Sequence, residues 1–301
     1  NDVYVLTASG TGAMEASCAN FLSPRDPVLV LTAGKWGERF CEIAQSYGLE
    51  CDCLSAPYGE TFDAGKVKEA VRKKSYKAVY ATLCETSTGV VHDIPAIGAL
   101  VAETGALFVV DAVSGLLTDR LESDAWKIDI VVAGSQKGLM LPPGLAFISA
   151  SDRAKKAMAS AKLPRYYFDL AKYEKAQRDE QTPFTPAIGV VVALKRVLDR
   201  IKGEGLDAVL RRADRLARAT REASTALGLE LFARRPSNGV TAIKVPAGIE
   251  VKTLLKVLSQ EFGVVMAGGQ GEMKGKIFRI AHMGAISRED LATGFECLEE
   301  V

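Results

Sequence analysis

Between residues 3 and 148 the chain repeats one pattern, a short and almost unbroken apolar run followed by a stretch of helical period. Runs at 3–6, 28–31, 50–54, 79–83, 107–110, 128–133 and 145–148 predict strands, while 12–22, 36–47, 63–73 and 94–104 predict helices, with Asp63 as an N-cap. Strands this apolar need cover on both faces, and the helices between them supply it. The expected fold class is therefore α/β, a doubly wound and mostly parallel sheet.

Beyond Ser151 the texture changes. Helices are expected at 151–160, 166–177, 187–201 and 206–227, with a proline-marked segment at 181–186. The joint Lys202-Gly203-Glu204-Gly205 sets the expected boundary between a large domain, 1–203, and a small one, 204–301. In the small domain, strands at 229–232, 240–245, 264–266 and 277–280 and helices at 251–262 and 288–300 predict an α+β unit with its own core. The last helix opens with Ser287-Arg288-Glu289-Asp290, close to a capping box.

A net charge of +1, with 25% charged and 48% hydrophobic residues, gives no electrostatic reason to expect nucleic acid or an anionic membrane as partner. No apolar run reads as a membrane span or a signal peptide. The six cysteines form no CxxC pair and there are two histidines, so a zinc site is not expected, and reduced thiols in a cytoplasm are. Cys51 and Cys53 fall on one face of one strand, where packing is the expected role. Asn1 leads straight into a strand-like run, and the expectation is that the natural beginning is missing.

Ligands of open parallel sheets bind beyond the carboxyl ends of the strands, so polar residues there carry the functional information. Lys137 sits in the turn Ser135-Gln136-Lys137 between two core strands. Burial would lower its pKa from ~10.4 and favour the neutral amine. Either it forms a Schiff base with a carbonyl, most often that of pyridoxal phosphate (PLP), or it snorkels to solvent. Ala8-Ser9-Gly10-Thr11-Gly12 lies between a strand and a helix and is either a single-phosphate cradle or a plain tight turn. It is neither a dinucleotide fingerprint nor a P-loop, because Glu15 takes the third small position and no Gly-Lys-Ser/Thr follows.

Asp111 ends a buried strand and needs a partner, which a protonated pyridine nitrogen or the next turn's N–H groups would provide. The hydroxyls of Glu85-Thr86-Ser87-Thr88-Gly89 reach a phenolic oxygen or form a turn. Trp36 stacks on a flat cofactor or caps the core, and Arg279 clamps a carboxylate or decorates an edge strand.

Taken in order, Ala8-Ser9-Gly10-Thr11-Gly12-Ala13-Met14-Glu15-Ala16, Trp36-Gly37, Glu85-Thr86-Ser87-Thr88-Gly89-Val90, Val110-Asp111-Ala112-Val113-Ser114, Gly134-Ser135-Gln136-Lys137 with Pro142-Pro143-Gly144, Thr182-Pro183-Phe184-Thr185-Pro186-Ala187 and Arg279-Ile280-Ala281-His282-Met283-Gly284 resemble the class V PLP-dependent aminotransferases. The match is to the alanine/serine–glyoxylate group, which includes members labelled soluble hydrogenase subunits. The resemblance spans nearly the whole chain and implies PLP-dependent transferase fold type I, with a mostly parallel seven-stranded sheet and a smaller C-terminal domain. It also implies a cytoplasmic homodimer with a shared site.

By position, the resemblance places Lys137 as the catalytic Schiff-base lysine and Ser9, Gly10, Thr11 and Gln136 around the phosphate. Thr182 and Thr185 would reach over from a neighbouring subunit. Trp36 and Val113 would cover the two ring faces, Asp111 would pair the ring nitrogen, Thr86 the ring oxygen, and Arg279 the substrate carboxylate. The implied activity is ping-pong transfer of an amino group from alanine or serine to a keto acid such as glyoxylate or pyruvate. Two departures stand out: the resemblance leads one to expect a front segment ahead of the residue at which this sequence starts, and Thr182 replaces a frequent tyrosine. The alternatives are a cysteine desulfurase-like lyase, for which Gln136 and Trp36 stand where histidines are expected, and a non-catalytic, hydrogenase-associated PLP-binding subunit.

Overall fold

The computed structural model describes residues 1–301. The first half runs β1 (Asp2–Leu6), α1 (Gly10–Ala19), β2 (Pro27–Thr32), α2 (Lys35–Ser46), β3 (Glu50–Ser55), α3 (Ala64–Arg72) and β4 (Ala78–Thr82). A small ladder of β5 (Cys84–Glu85) and β6 (Val90–Val91) precedes α4 (Ile94–Ala102), β7 (Leu107–Asp111), β8 (Ile130–Gly134) and β9 (Ala146–Ala150). Helices α5 (Asp152–Ser160), α6 (Leu170–Arg178), α7 (Ile188–Glu204) and α8 (Leu206–Ala226) follow. The chain ends with β10 (Val240–Lys244), α9 (Val251–Glu261), β11 (Ala267–Gly268), β12 (Ile277–Ala281) and α10 (Arg288–Glu300).

Seven strands form one sheet in the order β1-β9-β8-β7-β4-β2-β3. Only β9 runs against its neighbours, β1 and β8. Alternate residues of each strand feed opposite cores, as a pleated strand requires. Val28, Val30, Tyr80, Val109 and Val132 pack on one face with Met14 of α1 and Phe40 of α2. Leu29, Leu31, Val79, Phe108 and Val110 pack on the other, with Val67 of α3 and Ile97 of α4. The carboxyl ends of β1, β2, β4, β7 and β8 therefore open along one edge, as the alternating pattern implied.

A second sheet, β10-β12-β11, carries a separate apolar cluster of Ile243, Leu258, Phe278 and Ile280 beneath α9 and α10. Helices α7 and α8 meet at Gly205, whose φ of 84° suits a residue without Cβ. Asp63 caps α3 by accepting from Lys66 N–H at 2.9 Å, and Ser287 with Asp290 closes a full capping box.

Several local expectations are corrected. Residues 229–232 form only a bridge, Leu231 to Ile243, because the chain bends away through Pro236 to meet Val90. The strand expected at 264–266 lies at β11, since Val264 N–H first closes back on Leu258 O and leaves Val265 exposed. The helix expected from 166 begins at Leu170, whose N–H donates to Asn20 Oδ1. Reduced cysteines were expected throughout, yet Cys41 of α2 and Cys53 of β3 are joined as a disulfide, because the Cys51/Cys53 face of β3 is the one that α2 covers. No helix is long and apolar enough to cross a membrane.

Candidate active site

Five strand ends build one cavity. Ser9, Gly10 and Thr11 come from the end of β1 and the first turn of α1, Trp36 follows β2, and Thr86 follows β4 and β5. Asp111 closes β7 and Val113 follows it, and Gln136 and Lys137 follow β8. These nine residues, each singled out in the sequence, line the same cavity together with Met14 and Ser114.

Gly10 and Thr11 belong to α1 itself, whose free N–H groups make its start suited to an anion. Ser9, the N-cap, leaves its hydroxyl without a local capping bond. A Cβ on Gly10 would stand 2.7 Å from Val113 Cγ2, so only glycine lets the helix start approach the β7 loop this closely.

The turn carrying Lys137 is held from both sides. Ser135 Oγ donates to Pro142 O at 2.7 Å and accepts from Leu145 N–H at 3.1 Å, and Met140 N–H donates to Lys137 O at 2.9 Å. The next residue must be glycine as well, because a Cβ on Gly138 would meet Leu116 O at 2.1 Å. Burial lowers the Lys137 pKa; Cys84 and Asp111, in their ionised forms, oppose this, and Arg279 adds to it.

Asp111 is buried and accepts from Val113 N–H at 2.7 Å. Burial pushes its pKa up to about 7; the Val113 N–H pulls it back, and nearby Glu85 raises it further. A carboxyl poised in that way responds strongly to a cation placed beside it.

Two residues without an assigned role in the sequence reading organise this cavity. Glu85 is fully buried and accepts from Trp36 N–H and Gly37 N–H, each at 3.1 Å, and from the N–H and hydroxyl of Ser87. It pins the start of α2, and with it Trp36. Burial raises the Glu85 pKa against these four donors. The available signal was the one that exposed Asp111, an acid at the end of an apolar strand. Arg39, one turn after Trp36, donates to Thr11 Oγ1 at 3.0 Å and lies 4.4 Å from the centre of the Trp36 ring. It thus ties the anion-binding helix start to the tryptophan.

Arg279 is buried on β12 and does not line the cavity, although its neighbour Thr86 does. Its Nη1 donates to Thr86 O at 2.8 Å, and its Nε and Nη2 donate to Gly268 O at 3.1 and 2.8 Å. Three of its five N–H groups are thus committed to backbone, which fixes the direction of the remaining two. The bland reading of a surface arginine fails. Thr182 and Thr185 are exposed and line a different cavity with Tyr167, and Thr182 Oγ1 donates to Phe184 O at 2.9 Å. This chain does not bring them to its own Lys137.

A family model described as aminotransferase class-V matches residues 2–283. The small subunit of soluble hydrogenase from Synechococcus sp. (strain PCC 6716) is 43% identical over 307 residues, spanning 100% of this chain and 80% of that protein. L-aspartate–glyoxylate aminotransferase of Paracoccus denitrificans is 36% identical over 99% of this chain and 78% of its own length. A solved structure of alanine–glyoxylate aminotransferase from Nostoc sp. matches with a TM-score of 0.96 at 30% identity, covering 99% of this chain and 81% of that one.

Fold and cavity together define a PLP-dependent enzyme of fold type I. The chain belongs to the class-V aminotransferase family and is a PLP-dependent transaminase. Its own residues fit that cofactor. Trp36 Nε1 is buried in the cavity wall without a partner, the start of α1 is uncapped by side chain, and the Asp111 carboxyl, pushed up to about 7 by burial, is one that a neighbouring ring cation would ionise.

Proposed function

We propose that this transaminase takes the amino group of a small amino acid, alanine or serine, and gives it to a keto acid such as glyoxylate or pyruvate. The cycle is ping-pong, in a cytoplasmic homodimer whose large domain spans 1–203 and small domain 204–301. The observation that carries this reading is the convergence of Lys137 and Asp111 on one cavity opened by the start of α1.

PLP, when bound, supplies an aldehyde for the substrate amine and a cationic ring that draws electrons from Cα. Lys137 Nζ would hold the cofactor and then serve as the base that removes and returns the substrate's Cα proton, a role its lowered pKa favours. Ser9, Gly10, Thr11 and Gln136 would hold the phosphate, Asp111 would keep the ring nitrogen protonated, and Thr86 would bond the ring oxygen. Trp36 and Val113 would confine the ring between them. Arg279 would present its two uncommitted N–H groups to the substrate carboxylate, giving the bidentate geometry that selects amino and keto acids.

Support for the dimer comes from Ile188, Val192 and Leu206, exposed by 66%, 60% and 55% on the helices after the 182–186 segment. That segment carries Thr182 and Thr185 away from this chain's own cavity, as residues meant for a partner's phosphate would be. A desulfurase reading finds less support. Gln136 and Trp36 occupy the histidine positions, and Cys84 is buried with its thiol pKa raised by that burial.

The deciding experiment is a single-turnover half-reaction of the PLP-loaded chain with alanine, serine and aspartate in turn, followed by a keto-acid screen. Fast conversion with alanine or serine supports the proposal. Failure with both, while aspartate reacts, would replace the donor assignment.

A further inference from the structure

A second cluster of reactive side chains lies outside the cavity. β3 is an edge strand of the large sheet, and on its pleat Cys51 and Cys53, two residues apart, face the same way, toward α2 and its Cys41. The three sulfurs lie within 4.8 Å of one another, and Cys51 Sγ is 3.8 Å from Cys53 Sγ. Zinc–thiolate bonds of about 2.3 Å arranged as a triangle put their sulfurs roughly 4 Å apart, so little movement separates this cluster from a three-sulfur metal site.

The surroundings narrow the ligand. The cluster contains no carboxylate or imidazole, only sulfur, which selects soft cations over magnesium or calcium. Asp52, which stands between Cys51 and Cys53, is engaged by Lys74 at 2.9 Å and by the Tyr76 hydroxyl at 2.7 Å. Cys53 is exposed and gives solvent access, whereas Cys51 is half-buried.

We propose that, once reduced, Cys41, Cys51 and Cys53 form a site for one thiophilic cation of the zinc, cadmium or copper(I) class, and that the Cys41–Cys53 disulfide is its closed, oxidised form. Opening the site takes two electrons: two equivalents of an external thiol become a disulfide as the Cys41–Cys53 bond becomes two thiols. Binding a divalent ion by the three thiols then releases three protons and leaves a complex of net charge −1. Cys41 lies on the same helix as Trp36 and Arg39, so an occupied site would also clamp α2 to β3.

The test uses the full chain, stripped of metal and reduced with a phosphine, titrated with cadmium alone. One cadmium per chain is expected, with an ultraviolet thiolate-to-metal charge-transfer band. Cys51→Ser and Cys53→Ser should each weaken binding by at least the roughly 10–100-fold that loss of even an outer partner costs. Cys297→Ser should leave binding unchanged, and re-oxidised chain should take up none. Circular dichroism checks that each variant is folded, and Cys53, being exposed, can be replaced without loss of packing. No cadmium bound by the reduced chain, binding that survives both serine variants, or equal binding by the oxidised chain would each overturn the proposal.

Discussion

The two groups of residues expected to hold the cofactor are built in opposite ways. Those at the ends of β1, β2, β4, β7 and β8 converge on one cavity and are locked by the buried Glu85, the Val113 N–H and the Ser135 turn. Thr182 and Thr185 lie on an exposed, proline-marked segment with its own shallow cavity. The difference shows what a sheet can organise. Strand ends in one sheet share a frame rigid enough to aim side chains at a common point, whereas a connecting segment is aimed only by whatever packs against it.

Replacing Lys137 by alanine probes the rigid group hardest. Turnover should fall by at least the roughly 10²–10⁴-fold of a lost acid–base group, and borohydride should no longer fix PLP to the chain on a peptide map. Retained turnover would remove Lys137 from the chemistry.

Asp111→Asn should follow, weakening PLP binding by roughly 10²-fold or more if the carboxylate pairs a buried cation. It also carries a pH signature. The folded pKa of about 7 lies above the ordinary 3.8, so the folded, cofactor-free chain binds the proton more tightly than the unfolded one. Stability from this group is complete below about pH 4 and is lost as pH rises to about 7. The melting temperature of the cofactor-free chain should therefore fall more steeply across that window than in Asp111→Asn. Parallel curves would show that Asp111 is not the titrating group.

Arg39→Ala is expected to cost about 1–2 kcal/mol, read as a roughly 5- to 30-fold weaker affinity for PLP or inorganic phosphate, through the lost Thr11 bond and the uncovered Trp36 ring. The smallest effect falls on the exposed group. Thr185→Ala should weaken PLP binding by about 1 kcal/mol, roughly fivefold. If the site is shared, mixed dimers of Thr185→Ala with Lys137→Ala should recover wild-type affinity at the site that keeps its lysine. No recovery would mean that Thr185 does not serve a partner.

Legibility followed burial. Asp111 stood out because it closes a run, Leu107–Asp111, in which every other residue is apolar. Glu85 carries the same signal inside the motif Glu85-Thr86-Ser87-Thr88-Gly89, where the neighbouring hydroxyls compete with it for a role. Arg39 offered none: on α2 it is one of several charged residues, with Lys35, Glu38 and Glu42, and only its contacts with Thr11 and Trp36 set it apart. The strands expected at 229–232 and 264–266 fall beside the small sheet, not in it. There short apolar runs lie beside bends, and pairing partners decide the register.

The amino-acid order alone determined the parallel architecture and the polar strand ends, because burial on both faces leaves little choice of residue along a central strand. The tertiary structure decided which of those ends meet. It turned Arg279 inward onto Thr86 and Gly268, set Glu85 beneath Trp36, drew Cys41 to β3 and held Thr182 and Thr185 apart. Each of these joins residues distant along the chain, and no local propensity records how a helix or a second sheet will lie across the first.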